Sequence, residues 1–297
     1  MASAMNCASG DKKVSVVLTC YNGRAWIGGA IESVLTQTLR SLELIVVNDG
    51  SADDSRAVIA PYLADGRVVY VEQPNRGVAA ARNRGLALAS GEYACILDQD
   101  DRWLPDKLSV QAAYLDREGP VAAVYTGVER VDGEGKSLGP RLFPPPFEGD
   151  LFSSFMTRGV AVPIISVMFR GTALQALGGF DEKLFGKDDL DLLLRLARDA
   201  RIGFIPETLT IQRFRPGTSG QSEPMHKDSF YLAEKYRRLW PGAGGLIDEF
   251  ESGARYLYGS DLLASGRKAD ARKQFKALLR MRPLRPKALV KLLLSYV

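Results

Sequence analysis

The sequence has little histidine and cysteine, with one His and three Cys among its 297 residues. Cys7, Cys20 and Cys95 are odd in number and too far apart to form a metal-binding pair. This pattern excludes a disulfide scaffold and fits a reducing compartment, so we expect a cytoplasmic protein. The single histidine, His226, lies in a polar stretch, and we expect it at the surface without a catalytic role.

Long hydrophobic runs and glycine-rich phosphate loops are also missing. The longest apolar runs, 160–169 and 288–297, are about half the length of a membrane-spanning helix, which needs roughly 20 residues. Residues 1–13 lack the basic start and apolar run of a signal peptide. No Gly-x-Gly-x-x-Gly pattern occurs, and Gly135-Lys136-Ser137 lacks the earlier glycine of a P-loop, because position 130 is arginine. We therefore expect no bilayer-spanning helix, and dinucleotide-binding and P-loop folds are disfavoured.

The sequence does have the composition of a soluble globular protein, 46% hydrophobic and 25% charged. Its length suits one large domain, or one domain with an appendage. The net charge of +4 is unevenly distributed, because residues 267–297 hold ten Lys and Arg against one acid, Asp270. This basic segment carries +9 and leaves −5 for the remaining residues.

Strands of the buried type alternate with helical segments over the first 126 residues. Short β-branched apolar runs predict the strands, and apolar spacings of three and four residues predict the helices. The predicted strands are 14–19, 42–47, 67–72 and 93–97, and the predicted helices are 24–39, 53–63 and 78–89. This order predicts an α/β domain with a mostly parallel central sheet flanked by helices. Ligands bind outside the carboxyl ends of such strands, here residues 19–22, 48–51 and 98–101.

Further segments follow in the second half of the chain. The pattern predicts a hairpin loop at 128–141, a buried strand at 160–169, an amphipathic helix at 188–199, and helices beyond about Ser229. Residues 251–283 fit one tetratricopeptide unit through five positions: Gly259, Gly266, Ala271, Phe275 and Pro283. A single helical hairpin cannot bury its apolar face alone, so we expect it to pack on another surface.

Asp98-Gln99-Asp100 closes an apolar strand and is the strongest chemical signal in the sequence. Side chains alternate along extended backbone, which predicts that Asp98 and Asp100 project in the same direction. Two carboxylates at a strand end suit a hard divalent cation, Mg²⁺ or Mn²⁺, whose shell is often completed by substrate phosphates.

Four sequence blocks resemble glycosyltransferase family 2. They are VSVVLTCYNG at 14–23, LIVVNDGSADDS at 44–55, PNRGVAAARNRGLALASGEYACILDQDD at 74–101 and GGFDEKLFGKDDLDLLLRLA at 178–197. The resemblance covers about residues 12–220, with the blocks in order and at normal spacing. It implies a GT-A fold and a nucleoside-diphosphate sugar donor. The expected domains are then a disordered N-terminus at 1–12, a catalytic domain at 13–220 and a helical region at 221–297, the catalytic domain comprising a donor half, 13–126, and an acceptor half, 127–220.

The resemblance also implies roles for individual residues in donor binding. Thr19 and Tyr21 match the first nucleotide-binding loop, and Asp49 matches the acid that accepts the base imide N–H. Asn48 departs from the acid usual at its position. Arg82 matches a contact to the diphosphate or base, Asp98 and Gln99 lie at the donor, and Asp100 with Asp98 would bind the metal.

Two later positions resemble the catalytic end of the family pattern. Asp189 matches the general base, and Asp188 stands where a longer acid is usual. An alternative for both is a helix N-terminal charge pair that complements the macrodipole. Arg215 replaces a common histidine and is either a charge clamp on the diphosphate or a solvated loop residue.

The resemblance implies an inverting sugar transfer from a nucleoside-diphosphate sugar, with UDP-sugars favoured, to a hydroxyl of a cell-envelope glycan or lipid-linked acceptor. Two alternatives stay open, a sugar nucleotidyltransferase and a non-enzymatic sugar-nucleotide-binding or scaffold protein. The basic segment 267–297 is either a solvated helical face or an attachment to an anionic membrane, which would make the protein peripheral on the inner face. We expect no nucleic-acid partner.

Overall fold

The computed structural model describes residues 13–138, 151–158, 162–214 and 223–296. The predicted disordered N-terminus at 1–12 and the predicted clamp residue Arg215 lie outside them. The described chain forms two compact units. The first unit holds 13–138, 151, 162–183 and 188–214, and the second holds 152–158, 184–187 and 223–296.

The first unit is built on a mixed sheet. Its strands within the described residues are β1 (Val14–Cys20), β2 (Leu42–Asn48), β3 (Val68–Glu72), β4 (Tyr93–Asp98), β5 (Arg102–Trp103), β6 (Val121–Val131), β7 (Val167–Arg170) and β8 (Arg201–Arg213). Their order across the sheet is β3-β2-β1-β4-β7-β6-β8-β5. Strands β1 to β4 are parallel to one another, as are β6 and β8, whereas β7 and β5 run antiparallel to their neighbours. The predicted α/β class is confirmed.

Helices flank this sheet and make up most of the second unit. Those within the described residues are α1 (Ile27–Leu35), α2 (Ser55–Ile59), α3 (Val78–Leu86), α4 (Lys107–Arg117), α5 (Leu151–Arg158), α6 (Gly171–Leu177), α7 (Asp188–Asp199), α8 (Glu223–Leu239), α9 (Gly244–Ala264), α10 (Lys268–Met281) and α11 (Pro286–Leu294). Helix α1 buries Ile27, Ala30, Ile31 and Val34, the spacing of one helical face. Helix α3 lies close to β1 at Gly85, where any β-carbon would overlap the Val17 side chain.

Strands β1, β2 and β4 end at the same edge of the sheet, and most of the predicted donor-binding residues lie at or just after these ends. All seven residues of β1 and of β2 are buried, as their β-branched composition predicts for strands covered on both faces. The register pairs Thr19 with Asp98 and Cys20 with Asn48. The loops that leave these three strands therefore begin side by side.

Two predicted segments differ from the structure. Strand β6 continues through Val131, so only part of the predicted hairpin loop at 128–141 is a turn, with the Asp132 N–H donating to the Lys136 carbonyl at 2.9 Å. The strand extends because it pairs with β8 as far as Arg213. The predicted strand at 160–169 is shorter, because a 3₁₀ turn at Ile164–Ser166 precedes β7.

The second unit has its own small core. Tyr258 and Leu262 on α9 pack against Ala271 and Phe275 on α10. A β-carbon at Gly259 would lie 2.8 Å from the Phe275 ring, so the two helices approach closely there. No helix among the described residues is long and apolar enough to cross a membrane.

The prediction that His226 lies at the surface is wrong. Its ring is buried, stacks on Tyr258 with centroids 4.7 Å apart, and places Nε2 2.7 Å from Asp261 Oδ2. The polar residues near His226 in sequence did not reveal this position, because its partners lie on α9, more than thirty residues later.

Candidate functional site

The loops that follow β1 and β4 are tied together by Gln99. The Tyr21 N–H donates to Gln99 Oε1 at 2.8 Å, and Gln99 Nε2 donates to the Tyr21 carbonyl at 3.0 Å. Gly23 permits this approach, because a β-carbon there would overlap the Gln99 amide. Both polar ends of Gln99 thus hold backbone, and the half-exposed Tyr21 ring is left at the surface.

A second set of hydrogen bonds joins the loops after β1 and β2. The Asn22 N–H donates to Ser51 Oγ at 3.0 Å, and the Ala52 N–H donates to Asn22 Oδ1 at 2.8 Å. Asn22 has a φ of 50°, a left-handed conformation that asparagine tolerates better than most residues. The Gly23 N–H donates to Ser55 Oγ at 2.8 Å. These bonds fix the backbone beside the strand ends.

Asp49 is buried and organises the chain between β3 and α3. Its Oδ1 accepts hydrogen bonds from Gln73 Nε2 at 2.8 Å and the Arg76 N–H at 3.0 Å, and Oδ2 accepts the Gly77 N–H at 2.9 Å. A carboxylate has about four acceptor positions. Three of these are engaged, so the carboxylate keeps capacity for one more donor.

Arg82 connects the end of β4 to the start of α7. Its guanidinium donates through Nη2 to Asp98 Oδ1 at 2.8 Å and through Nη1 to Asp188 Oδ2 at 2.6 Å. Burial disfavours the charge, but the two carboxylates raise the pKa of Arg82 above its ordinary value. Its Nε is buried and has no hydrogen-bond partner among the described residues. Arg82 therefore unites two acids that lie 90 residues apart in the sequence.

Asp189 differs sharply from its neighbour Asp188. Asp188 is buried in its ion pair, whereas Asp189 is partly exposed and its Oδ1 accepts the Leu190 N–H at 2.6 Å. Desolvation, followed by the adjacent Asp188 charge, raises the pKa of Asp189 to about 6. A carboxylate with this pKa can hold a proton transiently near neutral pH, as a general base requires.

The start of α7 is held in place by residues on both of its sides. Arg195 pairs with Asp191 at 2.8 Å and donates to the carbonyls of Leu177 and Gly179 at 2.6 and 2.7 Å. Asn83, next to Arg82, accepts the Phe180 N–H at 2.8 Å and donates to the Phe180 carbonyl at 2.9 Å. The segment before α7 is thereby fixed to the helix that carries Arg82.

The acids after β4 form a turn instead of the predicted extended arrangement. Strand β4 ends at Asp98, and the Asp101 N–H donates to the Asp98 carbonyl at 3.1 Å. Asp101 is buried and its Oδ1 accepts the Arg213 N–H at 2.7 Å. Burial, together with the charges of Asp98 and Asp100, raises the pKa of Asp101 well above its usual range. The turn thus brings three carboxyl groups together, and Asp101 is the one whose charged form is disfavoured.

This charge and donor type fit a divalent cation. Asp98 and Asp100 are both partly exposed and offer the hard oxygen ligands that Mg²⁺ and Mn²⁺ prefer. Within the described residues no cluster of three or more His, Cys, Asp or Glu has the geometry of a metal site. Magnesium commonly uses only one or two protein carboxylates and takes further ligands from substrate phosphates, so this pair is sufficient in chemical type.

A buried lysine, Lys107, begins helix α4 shortly after the acidic turn in the sequence. Lys107 is fully buried, lies over the Trp103 ring at 4.1 Å, and donates to Gln111 Oε1 at 2.6 Å. Burial lowers the pKa of Lys107 to about 8. The Trp103 Nε1–H donates to the Ile165 carbonyl at 2.9 Å, which satisfies the indole in the core. The sequence analysis gave Lys107 no role.

The structure thus brings most predicted site residues to one edge of the sheet. Thr19, Tyr21, Asp49 and Gln99 lie at or just after strand ends, and a shared arginine joins Asp98 to Asp188 beside Asp189. The sequence analysis missed three residues that shape this edge: Asn83, Asp101 and Arg195. The only sequence signal for them was their position within or next to the matched blocks.

Comparison with known proteins shows which family this chain resembles in sequence. Residues 15–173 match the model of glycosyl transferase family 2. An uncharacterized glycosyltransferase of Rickettsia bellii is 33% identical over 211 residues, which are 69% of this chain and 29% of the relative. The chain spans about a third of the length of the first curated relatives it matches.

Solved structures show the same fold at lower sequence identity. S. aureus TarS 1-349 in complex with UDP-GlcNAc is 18% identical with a TM-score of 0.68, over 96% of this chain and 89% of the other. The mannosyltransferase PcManGT from Pyrobaculum calidifontis, in complex with GDP-Man and Mn²⁺, is 18% identical with a TM-score of 0.57, over 96% and 86%.

Proposed function

The chain belongs to glycosyltransferase family 2, and from that premise we propose that it transfers a sugar from a nucleoside-diphosphate sugar to an acceptor hydroxyl, with inversion. One observation carries the proposal. Arg82 ties Asp98, at the donor end of β4, to Asp188, so that the neighbouring Asp189 stands at the same site with a pKa raised to about 6.

The nucleotide is proposed to bind across the ends of β1 and β2. The exposed Tyr21 ring offers a flat apolar surface for stacking on a base, held by the Gln99 bonds to its backbone. Thr19 lies at the same edge, and the spare acceptor position of Asp49 suits the imide N–H of a uracil. A UDP-sugar fits these groups, and TarS and PcManGT are described with UDP-GlcNAc and GDP-Man.

Asp189 is the proposed general base. An acceptor hydroxyl is a poor nucleophile at neutral pH, so removing its proton as it attacks the anomeric carbon lowers the barrier, typically by about 10²- to 10⁴-fold in rate. The proton moves from the hydroxyl to Asp189, the new glycosidic bond forms, and the bond to the diphosphate breaks. Asp188 remains paired with Arg82, and its charge adds to burial in raising the pKa of Asp189.

Asp100, with Asp98, is proposed to hold a divalent cation. When bound, such an ion acts as a Lewis acid and offsets the charge of the departing diphosphate. Arg82 orients the Asp98 carboxylate by donating a hydrogen bond to it. Asp101 fixes the turn by accepting the Arg213 N–H. The acceptor is proposed to be a glycan or lipid-linked hydroxyl that contacts residues within 127–220, where a charge-clamp role for Arg215 stays a proposal.

A thermal-shift screen tests donor and metal binding together. A ligand present at 100 times its Kd stabilises a protein by about 2.7 kcal/mol, which is roughly 5–10 °C in Tm for a domain of this size. We expect UDP or a UDP-sugar with Mn²⁺ to produce such a rise, and Asp100→Ala to abolish the part that depends on Mn²⁺. Asp199→Ala, which removes an exposed acid at the far end of α7, should behave as wild type. An unchanged Mn²⁺-dependent rise in Asp100→Ala would contradict the metal assignment.

A further inference from the structure

Helix α11 is anchored to the second unit by one side only. Ala288 is buried, and Leu292 packs on the small core formed by Tyr258, Leu262, Ala271 and Phe275. The Arg272 guanidinium donates to the Ser295 carbonyl just after the helix. These contacts fix which side of α11 faces the protein.

The opposite side of α11 is apolar although it faces solvent. Four large side chains there are each at least half exposed, and we name them the α11 apolar face: Leu289, Val290, Leu293 and Leu294. Scattered exposed leucines are ordinary, but a surface helix normally turns its polar side outward. Leu284, just before the helix, is almost fully exposed as well. A contiguous patch of this kind marks an interaction surface.

Unpaired cations accompany this face. Within the part of the chain that the structure describes, Arg280, Lys287 and Lys291 form no ion pair, whereas the neighbouring Arg267 and Lys273 both pair with Asp270. Lys287 lies three residues before Val290 and four before Lys291, which places the three side chains along one side of the helix. The surface therefore combines exposed apolar groups with positive charge.

We propose that the α11 apolar face, with Lys287 and Lys291, is a docking surface for an anionic lipid bilayer. Apolar side chains would enter the boundary between headgroups and acyl chains, while the cations contact anionic headgroups. A second copy of this chain is a poorer occupant, because it would bring two segments of charge +9 together. Nucleic acid would use the cations but leave the apolar side chains in water. The surface does not depend on the transfer reaction.

Vesicle co-sedimentation of the full chain tests this docking surface. The probes are phosphatidylcholine vesicles with and without phosphatidylglycerol, at low and high salt. We expect binding to the anionic vesicles only, and weaker binding at high salt, because salt screens the lysine and arginine charges. Equal binding to both kinds of vesicle, or binding to neither, would overturn the proposal.

Paired variants separate the apolar from the electrostatic contribution. Leu293→Ser with Leu294→Ser should weaken binding by at least tenfold, and Lys287→Gln with Lys291→Gln by roughly 30-fold. The controls are Leu257→Ser, an exposed leucine on α9, and Arg84→Gln with Arg201→Gln, exposed arginines of the first unit. Circular dichroism verifies that each variant is folded.

Two results would assign the surface differently and overturn the proposal. Controls that lose as much binding as the α11 variants would show general electrostatic adsorption. Concentration-dependent self-association that Leu293→Ser with Leu294→Ser abolishes, without any vesicle binding, would show that a second copy covers the face.

Discussion

At the scale of single residues, two adjacent acids of the site have different surroundings. Asp188 is buried and compensated by Arg82, so its charge is held in an ion pair. Asp189, one residue later, is partly exposed, and its pKa is raised to about 6 by desolvation and by Asp188. Pairs of titratable groups whose environments differ in this way are a common arrangement in acid–base catalysis. Removing either partner of a buried ion pair typically costs about 3–5 kcal/mol, so the Arg82 link is also structural.

The raised pKa of Asp189 predicts an acid limb in the pH dependence of transfer. Only the ionised carboxylate accepts a proton, so kcat/KM should fall about tenfold per pH unit below an apparent pKa near 6. Asp188→Asn removes the neighbouring charge that raises this pKa, and the limb should move to lower pH. The measurement is kcat/KM from pH 4.5 to 8 in both proteins, and a limb that stays in place in Asp188→Asn would contradict the coupling.

Residue roles were only partly predictable from the sequence. Asp98 and Asp49 could be placed at strand ends, because parallel strands end at one edge of the sheet. Gln99 was assigned to the donor, yet both ends of its amide bond the Tyr21 backbone, 78 residues earlier. The pairing of Arg82 with Asp188 spans 106 residues. Tertiary partners of this kind leave no periodic signal in the sequence.

At the scale of elements, the sequence predicted helices and strands well where a single hydrophobic pattern runs through the whole element. Helix α7 begins and ends at the predicted residues, Asp188 and Asp199, because its apolar stripe and its acidic first turn agree. The predicted strand at 14–19 is β1, extended by one residue, because a strand buried on both faces is apolar throughout. The predicted hairpin loop at 128–141 began too early, because pairing with β8 keeps residues 128–131 extended.

The close approach of α9 and α10 predicts opposite effects for two glycines of one helix. Gly259→Ala places a methyl group 2.8 Å from the buried Phe275 ring, and we expect a loss of about 1–2 kcal/mol in the free energy of unfolding. Gly253→Ala meets no atom within 4 Å, and the better helix propensity of alanine should add up to about 1 kcal/mol. Urea unfolding followed by circular dichroism measures both, and equal stabilisation by the two changes would contradict this packing.

At the scale of the whole molecule, positive and negative charge lie in different parts of the chain. The segment 267–297 carries +9 and the remaining residues carry −5. Acids at the strand ends repel a diphosphate, and this repulsion is one reason for proposing a compensating cation at Asp98 and Asp100. The basic helices lie outside the residues matched by the family model, 15–173, and their proposed task is attachment instead of chemistry.

Single-turnover release of nucleoside diphosphate distinguishes whether Asp189 is the base of the proposed sugar transfer. The assay mixes enzyme in excess with a UDP-sugar and Mn²⁺, in the presence of an acceptor extract, while donor affinity is measured in parallel. We expect Asp189→Asn to bind the donor with unchanged affinity and to release nucleoside diphosphate about 10²- to 10⁴-fold more slowly than wild type. Release by Asp189→Asn at the wild-type rate would show that Asp189 is not the base.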